Sequence, residues 1–177
     1  SQTRAARQII VEDDGSTDGS AELLRQRYSG NSGVTLVCWP NGGQLAAFQR
    51  GVAQACGDAI CFLDADDRWD PHHLERFGAL LDARPEIDFV FCDVELFGDE
   101  RRTLGYARRE LDLGCTTIST YVHAHWYGAP TSALGMRTEW ARRVLDLPPR
   151  VLAEWRLSAD NCLVFGAEGA GINRCGR

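Results

Sequence analysis

Hydrophobic residues come in short blocks whose period changes along the chain, and the changes mark the elements. Gln8-Ile-Ile-Val11 is followed by Glu12-Asp-Asp-Gly-Ser-Thr-Asp-Gly-Ser20, which predicts a short strand running into an acidic turn. Ala21, Leu24 and Tyr28 then recur at helical spacing. Val34 to Trp39 alternates weakly as a second strand and ends at Pro40-Asn-Gly-Gly43, a loop whose glycines let backbone come close to a neighbour. Leu45, Phe48, Val52 and Ala55 predict a helix closed by Gly57. Ile60 to Leu63 is uniformly apolar, as expected of a strand covered on both faces.

A helix with Asp70 as N-cap and Pro71 at its first position would bury Leu74, Phe77 and Leu81. It stops near Arg84-Pro85, since proline disfavours helical geometry in the residue before it. Ile87 to Val94 reads as the next strand. Strand and helix thus alternate, which predicts an α/β fold with right-handed crossovers, a mostly parallel sheet and helices on both faces. Phe97 to Glu110 is polar and arginine-rich, a solvated excursion to which no function is given. Pro130 to Arg137 predicts a further strand, Thr138 an N-cap, and Trp140 to Leu145 a short helix ended by Pro148-Pro149. Ser158 is a cap for the apolar run Cys162 to Ala167, which leaves Asp160 in the first helical turn.

Composition narrows the picture. A length of 177 residues, 44% of them hydrophobic, predicts one domain with a proper core. A net charge of -6 without a basic stripe argues against nucleic acid or an anionic membrane surface as the main partner. No apolar stretch is long enough to span a bilayer, and Ser1-Gln-Thr-Arg-Ala-Ala-Arg7 lacks the apolar core of a signal peptide. Seven cysteines without a Cys-x-x-Cys spacing, with Cys38, Cys61 and Cys92 in predicted strands, read as reduced core residues. The expected location is cytoplasmic, with a peripheral place at the inner membrane face as the other option. All 19 basic residues are arginine, which excludes a P-loop, a Schiff base and every other mechanism that needs lysine.

Candidate chemistry lies where the central strand ends in Asp64-Ala-Asp-Asp67. In open α/β sheets that end faces the ligand crevice. Acids this close repel unless a cation joins them, and Mg²⁺ or Mn²⁺ takes one or two protein carboxylates and fills its other sites from water and phosphate oxygens. Asp66 is the candidate metal ligand. Capping of the next helix explains Asp70 but leaves the Asp64/Asp66 pair unexplained. His123-Ala-His125, if extended, would set two imidazoles on one face, a weak zinc signal without a third ligand, while Trp126 and Tyr127 fit either a sugar platform or plain core.

Val11-Glu-Asp-Asp-Gly-Ser-Thr-Asp-Gly-Ser20, Asn41-Gly-Gly-Gln44 with Gly51, and Phe62-Leu-Asp-Ala-Asp-Asp67, in this order and spacing, resemble the family 2 glycosyltransferases of GT-A (Rossmann-like) fold. The likeness is close over the first half of the chain, and Asp160 in Ser-Ala-Asp-Asn161 extends it to the acid that the family uses as base. The resemblance implies inverting transfer of a sugar from a nucleoside-diphosphate donor, such as a UDP-sugar, to a hydroxyl of a glycan, lipid-linked or polysaccharide acceptor. Asp14 would bind the nucleobase, Asp64 the ribose or the outer edge of the site, and Asp66 the Mn²⁺ or Mg²⁺. Asp13 and Gln44 join the donor-binding set, and Asp160 would be the base.

The chain departs from the family pattern as well. The usual opening strand, central in the sheet, is missing, and Gln49 stands where asparagine is usual. The chain also ends soon after Asp160, so the expectation is a single GT-A domain over residues 1–177 that is partial at both ends, with backbone edges left unpaired. A catalytically incomplete nucleotide-sugar-binding domain is the alternative. A Mg²⁺-dependent phosphatase of the haloacid dehalogenase type fits poorly, because Arg68 replaces its Thr or Val and its lysine is lacking.

Overall fold

In the computed structural model the described residues are 1–105, 111–123, 129–154, 158–164 and 168–172. The first half holds β1 (Ile9–Asp13), α1 (Ser20–Tyr28), β2 (Val34–Cys38), α2 (Gln44–Gln54) and β3 (Ala59–Cys61). Then come α3 (His73–Ala83), β4 (Phe89–Cys92), the short strands β5 (Glu95–Leu96) and β6 (Arg102–Thr103), β7 (Leu111–Cys115) and α4 (Thr116–His123). A 3₁₀ turn at Thr131–Ala133 leads into β8 (Leu134–Arg137), followed by α5 (Thr138–Val144), α6 (Pro149–Glu154), α7 (Ala159–Val164) and β9 (Glu168–Ile172).

The helices follow the apolar periods. On α1 only Ala21, Leu24, Tyr28 and the leading Ser20 are shielded, and on α2 Leu45 and Val52 are buried, with Phe48 packed on the core. On α3 the buried positions are His73, Phe77 and Leu81, so a histidine takes the inward place expected of Leu74. Asp70 Oδ1 accepts from the His72 N–H at 2.9 Å and satisfies a free donor ahead of α3.

β1 and β2 form a parallel pair, and a separate five-stranded sheet has the order β3-β8-β4-β9-β7. β3 and β4 both run antiparallel to β8, hence parallel to each other, and β9 is parallel to β4. The successive strand–helix units therefore give parallel strands, while β8 and β7 enter from later chain in the opposite direction. Among the described residues β1 and β3 share no ladder: β1 pairs with β2, and β3 ends the five-stranded sheet beside β8.

Phe89, Val90, Phe91 and Cys92 are all buried, so both faces of β4 are covered, since alternate side chains point to opposite faces. α3 packs on β4 and β8, and α5 on β8 and β3. Gly135 in β8 leaves room for Phe77, whose ring carbon lies 2.5 Å from where a Cβ would stand. Arg137 ties the end of α3 to the sheet: its guanidinium donates to the carbonyls of Ile87 (2.8 Å), Leu81 (2.8 Å) and Arg84 (3.0 Å). α2 spans the two sheets. It packs on β1 and β2, and its Phe48 ring meets Phe62, just beyond β3, at 4.9 Å between centroids.

Candidate functional site

The site begins at the turn after β1. Asp14 accepts from the N–H groups of Gly42 and Gly43, each at 2.8 Å, and from Arg50 Nη2. Arg50 Nε also donates to Glu12 Oε1 at 2.7 Å. Gly15 lies between, with φ +81°, and a Cβ there would sit 2.6 Å from the Asn41 nitrogen. Glycine is needed twice over, for its left-handed backbone and for the close approach of the two loops. Burial pushes the Asp14 carboxyl up, but the Gly42 N–H, Arg50 and the Gly43 N–H together outweigh it and hold the group below the usual aspartate value. Glu12 goes the other way despite its ion pair. Burial, with the charges of Asp14 and Asp13 behind it, outweighs its Arg50 contacts, and Glu12 Oε2 is buried without a hydrogen-bond partner among the described residues. Asp13, 7% exposed, closes β1 beside them.

From this clamp the contacts run on without a break. Gly43 leads into Gln44 at the start of α2; the Gln44 side chain hydrogen-bonds Asp64, and its Nε2 also donates to Thr131 Oγ1 at 3.3 Å. The Asp64 N–H donates to Ser132 Oγ at 2.9 Å, and the Asp64 carbonyl accepts from the Asp67 N–H at 3.2 Å, which fixes the acidic turn. Burial, then the charges of Asp67, Asp66 and Asp160, push the Asp64 carboxyl above its usual value, and the Gln44 hydrogen bond opposes them. Asp66 and Asp67 are exposed.

Asp160 reaches this group from far along the chain. Its short helix α7 is anchored by the Trp140 indole N–H donating to the Leu163 carbonyl at 2.8 Å and by the Thr116 hydroxyl donating to the Val164 carbonyl at 2.6 Å. Leu163 and Val164 are buried, and Asp160 in the first turn is half-buried. The structure thus gathers Gln44, Asp64 and Asp160, with Asp66 and Asp67 on the same turn, and joins Asp14 to them through Gly43. Gln49 Nε2 donates to the Leu145 carbonyl at 2.8 Å and ties α2 to the end of α5.

Beside the acidic turn opens a cavity of about 290 Å³, lined among others by Asp67, Arg68, Trp69, His73, Glu95 and Phe97. The Trp69 indole N–H donates to the Ser132 carbonyl at 2.7 Å, and its ring stacks on His73 at 4.6 Å. The sequence offered no signal for the role of Ser132 and little for that of Arg50. A basic residue six positions after Gln44, on the same helix, is the one pattern that points to Arg50. His123 ends a helix, not the extended segment needed to pair it with His125, because Thr116–His123 forms α4; His125, Trp126 and Tyr127 lie outside the described residues.

Among the described residues no three His, Cys, Asp or Glu side chains are gathered so as to hold a metal unaided. Hard carboxylate oxygens at a crowded, exposed turn do suit a hard divalent ion that draws its remaining ligands from substrate. No helix among the described residues is long and apolar enough to cross a membrane.

Comparison with known proteins decides the family. The family model described as Glycosyl transferase family 2 matches residues 1–145. The chain belongs to glycosyltransferase family 2. An uncharacterized glycosyltransferase of Nostoc sp. is 29% identical over 168 residues, 93% of this chain and 51% of its own length. An undecaprenyl-phosphate 4-deoxy-4-formamido-L-arabinose transferase of Pseudomonas savastanoi pv. phaseolicola is 39% identical over 77 residues, 42% of this chain and 23% of its own. The crystal structure of S. aureus TarS 1-349 in complex with UDP superposes with a TM-score of 0.68 at 15% identity, over 97% of this chain and 50% of that one. The fold is therefore GT-A, a mixed α/β Rossmann-like architecture, and the family 2 chain spans at most about half the length of these relatives.

Proposed function

We propose that this chain carries the donor site and the reacting groups of an inverting glycosyltransferase that moves a sugar from a nucleoside diphosphate to an acceptor hydroxyl. The observation that supports the reading is the acidic turn beyond β3, where Gln44 at the start of α2 hydrogen-bonds Asp64 and Ser132 Oγ accepts from the Asp64 N–H, with the charge of Asp160 in α7 among those that act on the Asp64 carboxyl. Likeness to TarS, crystallised with UDP, supports a UDP-type donor. The undecaprenyl-phosphate transferase from Pseudomonas supports the lipid-linked option for the acceptor.

Asp13 and the loop clamped by Asp14 would receive the nucleoside, and Gln44 and Asp64 would orient the donor beyond it. Asp66 would hold Mg²⁺ or Mn²⁺ together with donor phosphate oxygens; bound there, the ion supplies positive charge against the departing diphosphate. The acceptor oxygen bonds to the anomeric carbon from the face opposite the diphosphate, whose bond breaks with its electron pair. Asp160 takes the hydroxyl proton. A single displacement inverts the carbon and needs neither lysine nor a covalent enzyme intermediate.

The test is calorimetric titration of UDP with Mn²⁺ and with EDTA. Asp66→Asn should weaken the Mn²⁺-dependent affinity by about tenfold or more, whereas Asp160→Asn should keep it and slow transfer by about 10²–10⁴-fold. Equal, metal-independent heats in wild type and Asp66→Asn would overturn the reading.

A further inference from the structure

Arg50 joins three pieces of chain at the turn after β1. Its Nε donates to Glu12 Oε1 at 2.7 Å, its Nη2 to Asp14 Oδ1, and its Nη1 to the Pro40 carbonyl at 3.5 Å. We infer that Arg50 is a positioning residue of the donor site: without touching the donor, it holds Asp14 and the loop 41–43 in the arrangement that receives the nucleoside. The inference rests on the transferase reading above and adds to it a residue that is neither a carboxylate nor part of the loop.

The use made of its donors assigns the role. A guanidinium offers five N–H donors in a fixed fork and no acceptor. Here each of its three nitrogens faces a protein oxygen, and the side chain is only 20% exposed. Little of it is left for a diphosphate, and the two carboxylates beside it offset its charge. Arg50 therefore acts on the donor through what it holds.

What it holds first is Asp14. An ionised carboxylate has about four lone-pair positions; the Gly42 N–H and Arg50 take two on Oδ1, and the Gly43 N–H takes one on Oδ2. Among the described residues the other position on Oδ2 meets no protein donor, and it fits a ligand N–H or O–H. The Arg50 bond fixes the rotation of the carboxyl group, so this position keeps its direction. It also works against the burial that pushes the carboxyl up, which keeps the group ionised and an acceptor. The loop is held by the same contacts. Gly42 fits against the guanidinium, where a Cβ would lie 3.3 Å from Nη1, and Gly43 leads into Gln44, whose side chain bonds Asp64.

The experiment is a double-mutant cycle on the full chain, read by calorimetric titration of UDP with Mn²⁺ below the Tm of every variant, with Tm taken from circular dichroism. Arg50→Gln should weaken UDP binding by about tenfold, as should Asp14→Asn. The double variant should lose no more than about twofold beyond either single change, since Arg50 acts through Asp14. Arg50→Lys keeps a charge that reaches one carboxylate but loses the fork that joins two, and should recover part of the affinity, to within about threefold of wild type. It carries the same cycle should Arg50→Gln fail to fold. A lowered Tm with UDP affinity unchanged would make Arg50 a stabilising residue only and overturn the inference. Losses that multiply to about a hundredfold in the double variant would also overturn it, by showing that Arg50 meets the donor independently of Asp14. No UDP heat from the wild type would overturn the donor reading and this inference with it.

Discussion

Gly135→Ala adds one methyl group where β8 passes under α3, and its effect can be worked from distances. The new Cβ would lie 2.5 Å from Phe77 Cδ2 and 3.0 Å from Cys61 Sγ. Phe77 cannot retreat, being 1% exposed with the His73 ring 4.1 Å from its own. Overpacking of this kind costs about 1–3 kcal/mol, and two close contacts against a trapped ring put it near the upper end. Gly135 is not among the positive-φ glycines, so alanine also restricts the unfolded chain and returns about 0.4–1 kcal/mol. The net loss is about 2 kcal/mol, and at about 2–4 °C per kcal/mol for a chain of this size Tm falls by about 4–8 °C. Thermal unfolding by circular dichroism would measure it. Gly51→Ala on α2 is the control, since its Cβ would meet nothing nearer than Ile10 Cγ2 at 4.0 Å and it should stabilise by up to about 1 kcal/mol. Phe77→Leu should recover part of the Gly135→Ala loss through non-additivity. An unchanged Tm for Gly135→Ala beside a stabilised Gly51→Ala would refute the packing described here.

Two further outcomes follow from the Arg137 and Asp14 contacts. Arg137→Ala removes a guanidinium from three carbonyls around the end of α3 and should cost about 2–3 kcal/mol in urea unfolding, whereas loss of under 0.5 kcal/mol would mean that those carbonyls find water instead. Asp14 is held below its ordinary value of 3.8, so its share of stability is full above pH 4 and lost as pH falls through the lowered folded value. Glu12 is raised above 4.5, so its share is present below that value and lost as pH rises through the folded one. Asp14→Asn should therefore cost about 2 kcal/mol at pH 7, and the gap to wild type should begin to narrow below about pH 4 and close only as pH falls through the lowered folded value; a gap that does not narrow at all as pH falls from 4 would show that the carboxylate charge is not what joins the loops.

Much of the fold was legible because its strands are short apolar runs and its helices keep a clean period. Leu45 and Val52 on α2 and Phe77 and Leu81 on α3 are inward as the pattern requires. His73 was not legible. Its burial comes from stacking between Trp69 and Phe77, and hydrophobic periodicity does not count an imidazole as core. The antiparallel course of β8 and β7 was equally hidden, since local alternation fixes which residues pair up as strands but not the direction from which distant chain returns. Phe97 to Glu110 contains the hairpin partner β6, whose two residues are too few to show a period.

At the site, Asp64 and Asp160 were each recognisable as acids at the ends of elements, but their meeting depends on Trp140 and Thr116 gripping α7, which no spacing reveals. The engagement of Asp14 with Arg50 was invisible for a similar reason. The strand and the helix that carry them are joined only by tertiary packing.

The separation of β1–β2 from the larger sheet has a dynamic consequence. This two-stranded leaf ends in Asp13 and leads to Asp14, shares no ladder among the described residues with the strands that lead to Asp64, and packs on α2. Small units with few cross-links open first in native-state hydrogen exchange. A nucleotide seated against Asp13 and the acidic turn together would act as a cross-brace, slowing exchange at residues 9–13 and 34–38 far more than in β4, where burial already sets the limit.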